Sequence, residues 1–312
     1  SSMLVADVGR RHFSQFPAGG PLMLLPGVLL GAPWITGPLY AAIAVLAFSI
    51  FARTEEPRPG VALGATLLFA FAPFTLFMSG TQMNHVPTLM WILIGIAALT
   101  RATRSDVPRP WLAFLSGFAF ACAATIRPVD GFAFALPAGA WYLSRALRNR
   151  AHWRDAIAAA IGVAIPLAAL LWANHETTGS ALLFGYELLW GKSHSLGFHP
   201  APFGMVHTPA RGVELINGYL LQLQTYLFES PIPSLVPAIG TMLLTRKLEG
   251  LDRCLIASAA LLLGLYFAYW HDGAYLGPRF VYLLDPVFAL YTARFFSLVR
   301  ERFGHGLPYR MA

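Results

Sequence analysis

The sequence has no Asp, Glu, Lys or Arg between Gly60 and Thr100, and one polar break at 79–85 divides this apolar run. A bilayer-spanning helix needs about 20 mostly apolar residues, so the run is long enough for two helices joined by a tight turn. Only helices and closed barrels satisfy the backbone inside lipid, and the run is too long for barrel strands. The sequence therefore predicts an all-α, polytopic integral membrane protein.

Charge and cysteine are scarce in the whole chain. Charged residues make up 12% and hydrophobic residues 56%, whereas soluble domains average about 25% charged residues. The net charge of +7 is interpreted as a mark of cytoplasmic loops, and no nucleic-acid partner is expected. Cys122 and Cys254 lie in apolar runs without disulfide or metal-ligand spacing, so no metal site is predicted.

Several functional motifs are missing. The sequence has no Walker loop, no dinucleotide-binding fingerprint and no Gly-x-Ser-x-Gly elbow. These absences argue against ATP-driven transport and against a soluble catalytic domain.

The apolar runs predict about nine transmembrane helices in a single domain, 1–312. Their approximate bounds are 34–52, 60–79, 84–101, 110–126, 129–145, 155–173, 231–246, 252–270 and 279–298. The segment Pro21–Gly31 is too short to cross and is expected to be a juxtamembrane helix on the outer face. Val213–Leu227 mixes polar and apolar residues and is expected to lie in the interface.

The basic residues predict the orientation of these spans. One set of alternate connections holds 15 of the 22 Lys and Arg residues, including Arg104, Arg148 and Lys247, so these connections are expected to be cytoplasmic. The longest connection, 174–231, then lies outside. Long loops are usually functional or disordered, and this one is rich in aromatics, so it is expected to form part of a cap over an outer active site.

Two arginines at the outer ends of spans are candidates for binding an anion. Arg279 follows His271, Asp272 and a Gly-Pro pair, where a guanidinium could hold a lipid phosphate bidentately; the alternative is a plain turn with a snorkelling arginine. Arg127 breaks the positive-inside pattern, and either a phosphate or pairing with Asp130 would explain it.

Other polar residues give weaker indications. His207 and Arg211 lie at the end of the long loop, and the alternative for Arg211 is simple solvation. His85 lies at an outer turn, where capping or packing is the alternative to ligand binding. Within the spans, Asp285 and Arg294 are the exceptional charges and are functional candidates, although Arg294 is expected to snorkel to the cytoplasmic face.

Taken in order, several segments resemble the polytopic GT-C glycosyltransferases. The opening Gly9–Leu22 (GRRHFSQFPAGGPL) resembles the segment that closes the first outer loop of that superfamily and starts a juxtamembrane helix. Leu112–Pro128 resembles a recurrent hairpin, and His207–Gly212 and Tyr269–Arg279 match further segments. The resemblance covers nearly the whole chain and is to glycosyltransferase family 39, the protein O-mannosyltransferases and the aminoarabinose transferases.

This resemblance implies an enzyme that transfers a sugar from a polyprenyl-phosphate donor to a glycan, lipid or protein acceptor. It implies a multi-pass protein of the bacterial inner membrane with its active face outward, and it leaves a divalent cation as an open requirement. The residues expected to bind the donor phosphate or substrate are Arg279, Arg127, Arg211, His271, Asp272, Tyr275, His207 and His85.

The catalytic residue is not carried over by the resemblance. The family places an Asp-Glu or Asp-Asp pair in its first outer loop, whereas Asp7 is followed by Val8 and lies too close to the Ser14–Pro17 segment. Either those carboxylates precede Ser1 or the protein lacks the usual base. If they precede Ser1, residues 1–312 alone are expected to be inactive.

Two other classes of function stay open. A secondary transporter or flippase for lipid-linked sugars would place binding groups near the bilayer midplane, where the predicted spans are nearly uncharged. A non-catalytic membrane scaffold would explain the missing acidic pair.

Overall fold

The structure is a computed structural model that describes residues 5–8, 11–245, 249–271, 273 and 277–303. Most of these residues are helical, as expected. The helices are α1 (Gly19–Leu29), α2 (Thr36–Glu55), α3 (Pro59–Phe71), α4 (Pro73–Ser79), α5 (His85–Thr103), α6 (Pro110–Ile126), α7 (Pro128–Arg148), α8 (Trp153–Thr178), α9 (Gly185–Trp190), α10 (Pro209–Tyr226), α11 (Leu235–Leu244), α12 (Gly250–Phe267) and α13 (Asp285–Phe303).

Short 3₁₀ segments and one hairpin complete the described chain. The 3₁₀ segments are Pro33–Ile35, Arg150–His152, Gly191–His194, Pro202–Gly204 and Arg279–Leu284. The strands β1 (Val5–Val8) and β2 (Arg11–Ser14) pair antiparallel, with Val5 opposite Ser14. This hairpin was not predicted: β2 lies in the segment Gly9–Leu22, which was interpreted only through its resemblance to a loop, and β1 precedes that segment.

Five helical stretches in the described ranges are long and apolar enough to cross a membrane: Pro33–Glu55, His85–Thr103, Arg150–Thr178, Gly250–Phe267 and Arg279–Phe303. The pair α3 and α4 makes a sixth if it is one span bent by 52°. The predicted spans at 110–126, 129–145 and 231–246 are helices too. However, α6 and α11 are short, and α7 carries charges at both ends, so nine spans stay a prediction.

Large apolar side chains cover the outside of several helices. On α8 the exposed residues include Ile157, Ile161, Ile165 and Trp172. Contiguous exposed apolar surface of this kind marks a membrane or protein contact, and its position on a helix of spanning length indicates lipid. On α1 the exposed set is Leu22, Leu25, Val28 and Leu29, which agrees with a juxtamembrane helix.

The bundle is held together by close contacts between small residues. Helices α6 and α8 approach so closely that a Cβ atom on Gly117 would lie 2.1 Å from the Ala159 carbonyl oxygen, and one on Gly162 would lie 2.2 Å from that of Phe114. Small residues let helix backbones approach in membranes, where dispersion contacts replace the hydrophobic driving force.

The span formed by α3 and α4 is broken at Ala72-Pro73. Ala72 has ψ near 126°, and the residue before proline is pushed from the helical to the extended region by the proline ring. The sequence predicted one continuous span over 60–79, so the break is a correction to that prediction.

A charged network ties α2, α12 and α13 together at one end of the bundle, called here the Arg294 end. Arg294 donates to Glu56 at 3.1 Å and to Asp252 at 3.0 Å, and Tyr291 also donates to Asp252, at 2.7 Å. Arg294 therefore does not snorkel as expected, because two buried carboxylates from neighbouring elements pair with it.

Burial disfavours the carboxylate of Glu56. Nevertheless, the hydrogen bonds and charges of Arg58 and Arg294 outweigh that effect and lower the pKa of Glu56. The Arg294 end is therefore charged, paired and closely packed.

Candidate functional site

Phe280 is the centre of a polar and aromatic cluster at the opposite end of the bundle. It belongs to the 3₁₀ segment that precedes α13 and is buried. Around it lie His85, Arg127, Tyr219, Tyr266, Tyr269, His271 and Arg279, which together with Phe280 we call the Phe280 cluster. Four of the eight predicted site residues, His85, Arg127, His271 and Arg279, are thus brought together around one ring.

Two guanidinium groups lie against this ring. The Cζ atoms of Arg127 and Arg279 are each 5.3 Å from the centroid of Phe280. At this distance the ring quadrupole attracts a cation, the more so when the pair is shielded from water. Phe280 therefore holds two positive charges near each other at one end of the helices.

Arg127 is held in place by α7 and α12. Its guanidinium forms an ion pair with Asp130 and donates to the Tyr266 hydroxyl at 2.6 Å, and Tyr266 donates in turn to Asp130. Asp130 is 0% exposed. The alternative of pairing with Asp130 is therefore the arrangement observed, and this triad gives Arg127 a fixed orientation.

Arg279 opens the 3₁₀ segment and is half-buried. Its backbone N–H donates to the Gly277 carbonyl at 2.8 Å, and one Nη lies 3.8 Å from the Met83 sulfur. Gly277 has φ +82°, a left-handed conformation that favours glycine. The turn that precedes Arg279 therefore depends on the glycine at this position.

His85 is the first residue of α5 and is 4% exposed. Its ring stacks on Phe280 with a 6.1 Å centroid separation and 22° between planes. Neither ring nitrogen has a hydrogen-bond partner within the described part of the chain. Buried polar atoms are nearly always paired, so this imidazole has a donor and an acceptor to offer beside two guanidinium groups.

His271 is also in contact with Phe280. The His271 ring is 5.8 Å from it, and Nδ1 accepts the Gly273 N–H at 2.8 Å. Gly273 has φ +58°, and a Cβ atom there would lie 2.5 Å from the Phe280 ring, so only glycine fits. The predicted site residues Asp272 and Tyr275 lie outside the described residues.

His207 and Arg211 lie away from Phe280, before and in the first turn of α10, and His207 contacts the end of α12. His207 is 1% exposed, donates from Nε2 to the Phe267 carbonyl at 3.1 Å, and stacks on Phe198. Burial lowers the pKa of His207, which favours this neutral form. Arg211 lies in the first turn of α10, and the contacts described for it and for His207 do not reach Phe280. In the described structure they anchor the loop to the helices.

The long loop 174–231 is ordered by ring contacts, as its aromatic content suggested. His194 lies between Trp190 at 5.5 Å and Trp270 at 5.0 Å, and Trp270 contacts His271 at 5.1 Å. Trp190 also donates to Gln15 at 3.0 Å. Burial lowers the pKa of His194, and the nearby His271 lowers it further. A series of rings therefore leads from the loop to the Phe280 cluster.

The aromatic members of the site were missed in the sequence. Phe280, Tyr266 and Tyr219 lie inside predicted spans or interfacial segments, where an aromatic residue is interpreted as packing. Two positions in the sequence could have indicated them: Phe280 directly follows Arg279, and Tyr266 lies five residues before His271.

Comparisons with protein-family models, with curated proteins and with solved structures give no match. Among the described residues there is no group of three or more His, Cys, Asp or Glu side chains that could hold a metal ion.

Proposed function

We propose that the chain is a membrane glycosyltransferase that binds a polyprenyl-phosphate sugar donor at the Phe280 cluster. The observation that supports the proposal best is the convergence of Arg127, Arg279 and His85 on one ring at the end of a membrane-type helical bundle. The ring nitrogens of His85 have no hydrogen-bond partner among the described residues. The segments that carry the resemblance to the GT-C superfamily include two of these three residues, Arg127 and Arg279.

The chemistry of a lipid phosphate suits this arrangement. Its phosphate cannot enter hydrocarbon unpaired, so it needs cationic and donor groups at the edge of the membrane. A guanidinium matches phosphate oxygens with two parallel hydrogen bonds, and His85 can donate a further one. The phosphate would therefore lie between Arg279 and His85, with Arg127 held behind it by Asp130.

The proposal includes the orientation of the chain. The Phe280 end faces outward across a bacterial inner membrane, with nine spans, and the Arg294 end faces the cytoplasm with the basic connections. The acceptor, a glycan, lipid or protein, would approach from the side of the loop 174–231, whose rings contact His271.

Equilibrium binding tests this proposal and does not depend on turnover. The protein is placed in lipid nanodiscs and titrated with a radiolabelled polyprenyl-phosphate sugar, with unlabelled polyprenyl phosphate as competitor. We expect saturable binding that the competitor displaces. Binding that does not saturate, or that an uncharged polyprenol displaces equally well, would reject a phosphate site.

The broken span favours a second candidate, a transporter or flippase for lipid-linked sugars. Discontinuous helices line the substrate sites of many transporters, and α3 and α4 meet at a 52° bend. Proteoliposomes distinguish the two candidates, because a flippase moves a fluorescent lipid-linked sugar between leaflets and a transferase leaves its leaflet distribution unchanged.

A further inference from the structure

Asp285 is a buried carboxyl group that the Phe280 cluster does not use. It is the first residue of α13 and is 1% exposed. Neither of its oxygens has a hydrogen-bond partner among the residues that the structure describes. Asp130, another deeply buried aspartate, is paired with Arg127 and Tyr266. Since buried polar atoms are nearly always satisfied, Asp285 is an exception that needs a physical cause.

Among the described residues, the elements packed around Asp285 offer no counter-ion. Helices α3 and α11, the main neighbours of α13, contain no ionisable side chain. On its own element, Arg294 is occupied by Glu56 and Asp252. In the preceding 3₁₀ segment, Tyr282 is the titratable group that faces Asp285, whereas Arg279 lies against Phe280. The neighbours of that segment contribute His85, Tyr219 and Tyr266, which all contact Phe280.

An ionised carboxylate in this position would be unstable. An unpaired charge in a low-dielectric interior is so costly that the group neutralises instead. The start of a helix favours negative charge only weakly, and here the 3₁₀ segment runs directly into α13 and covers it. The carboxyl group therefore takes up a proton.

We propose that Asp285 is a proton-binding site inside the membrane, with its carboxyl group protonated at neutral pH. Asp285 is connected to the broken span through a neighbouring residue of the 3₁₀ segment. Tyr282, one turn earlier, contacts Phe74 of α4 edge-on at 5.5 Å, directly after the break at Ala72-Pro73. Asp285 follows Arg279 by six residues. At a rise of about 2 Å per residue of 3₁₀ helix, the two are roughly 12 Å apart, so Asp285 is distinct from the Phe280 cluster.

Reaction with dicyclohexylcarbodiimide tests the proposal, because this apolar reagent needs a protonated carboxyl group. The acid proton moves to a carbodiimide nitrogen, the carboxylate oxygen bonds to the central carbon, and the adduct rearranges to a stable N-acylurea. We expect mass spectrometry to find the adduct on Asp285 and not on Asp130, and to find less of it at alkaline pH. Protection by sodium ions, but not by choline at equal ionic strength, would show a bound cation and overturn the proposal.

Infrared spectroscopy gives a second measurement that does not depend on access of the reagent. The protein should show the carbonyl band of a protonated carboxyl group, and the isosteric variant Asp285→Asn should lose it. If Asp285→Asn keeps every protonated-carboxyl band of the parent, Asp285 is ionised and the proposal is wrong.

The matched variant Asp130→Asn controls for folding. Because Asp285→Asn replaces one neutral group by another, its melting temperature should stay within about 2 °C of the parent. This shift is smaller than the one that a typical destabilising mutation causes. Asp130→Asn removes the partner of a buried arginine and should lower the melting temperature more. A larger drop for Asp285→Asn than for Asp130→Asn would contradict a neutral Asp285.

Discussion

Tyr266 lies parallel to Phe280, with 4.6 Å between ring centroids and 11° between planes. The same tyrosine binds both members of the Arg127–Asp130 pair. One residue of α12 therefore fixes the ring against which two guanidiniums lie and also fixes one of those guanidiniums. The site is built from helix ends that are far apart in the chain and depends on this stacking to stay together.

Replacement of Phe280 tests how far the cluster depends on its central ring. Phe280→Ala should destabilise the fold by about 3–5 kcal/mol, because a buried aromatic side chain is removed and leaves a cavity. Phe280→Leu should recover much of the stability but not the cation–ring contacts. Equilibrium unfolding in mixed micelles measures the first effect and donor binding the second. Equal donor binding by Phe280→Leu and the parent would show that the ring only fills space.

The Arg127–Asp130 pair gives a prediction with an internal control. Asp130→Asn should cost about 3–5 kcal/mol, because it leaves a buried guanidinium without its anion. The double variant Arg127→Met, Asp130→Leu should be clearly more stable than Asp130→Asn, since no charge remains to be buried. The same unfolding assay compares them. If the double variant is the less stable of the two, the charge is not what makes Asp130→Asn costly.

Part of the fold and of the Phe280 cluster can be predicted from the sequence. The helices follow from apolar runs, and the meeting of Arg127 with Asp130 follows from their spacing of three residues at the start of α7. The place of His85 against Phe280 does not follow, because it depends on how α5 packs against a 3₁₀ segment almost 200 residues later.

The errors have local causes. The break in α3 and α4 was missed because an apolar run was taken as one helix despite Pro73, whose effect on Ala72 is steric and independent of hydropathy. Arg294 was expected to snorkel because no partner for it lies nearby in the sequence. Its partners, Glu56 and Asp252, belong to other elements and meet it only in the folded chain.

The stability of the loop contact at His207 should depend on pH. Burial lowers the pKa of His207 in the folded protein, so the unfolded chain binds a proton more readily. The contribution of this residue is therefore fully present above the ordinary imidazole value of about 6.5 and is lost as the pH falls below it. His207→Asn keeps a donor for the Phe267 carbonyl and should reduce the acid-induced drop in melting temperature. The matched substitution at the exposed His175 should leave it unchanged, and an equal reduction in both variants would contradict the prediction.

Cysteine labelling tests the proposed orientation. In a background without Cys122 and Cys254, a cysteine at Ser195 should react with an impermeant maleimide added from outside, and one at Arg148 should react only after the membrane is opened. The reason is the excess of basic residues in the connections at the Arg294 end. Labelling of position 195 from the cytoplasmic side alone would reverse the orientation.

Arg279 is the residue on which the donor-phosphate proposal depends most. A charge-assisted hydrogen bond contributes about 1.5–3 kcal/mol, roughly a ten- to hundredfold change in affinity. The decisive measurement is the Kd for a polyprenyl-phosphate sugar in nanodiscs, compared between the parent, Arg279→Ala, Arg279→Lys and the distant exposed control Arg300→Ala. We predict a rise of that size for Arg279→Ala, a smaller rise for Arg279→Lys and no change for Arg300→Ala. Binding by Arg279→Ala as tight as by the parent would show that the donor phosphate does not lie at the Phe280 cluster.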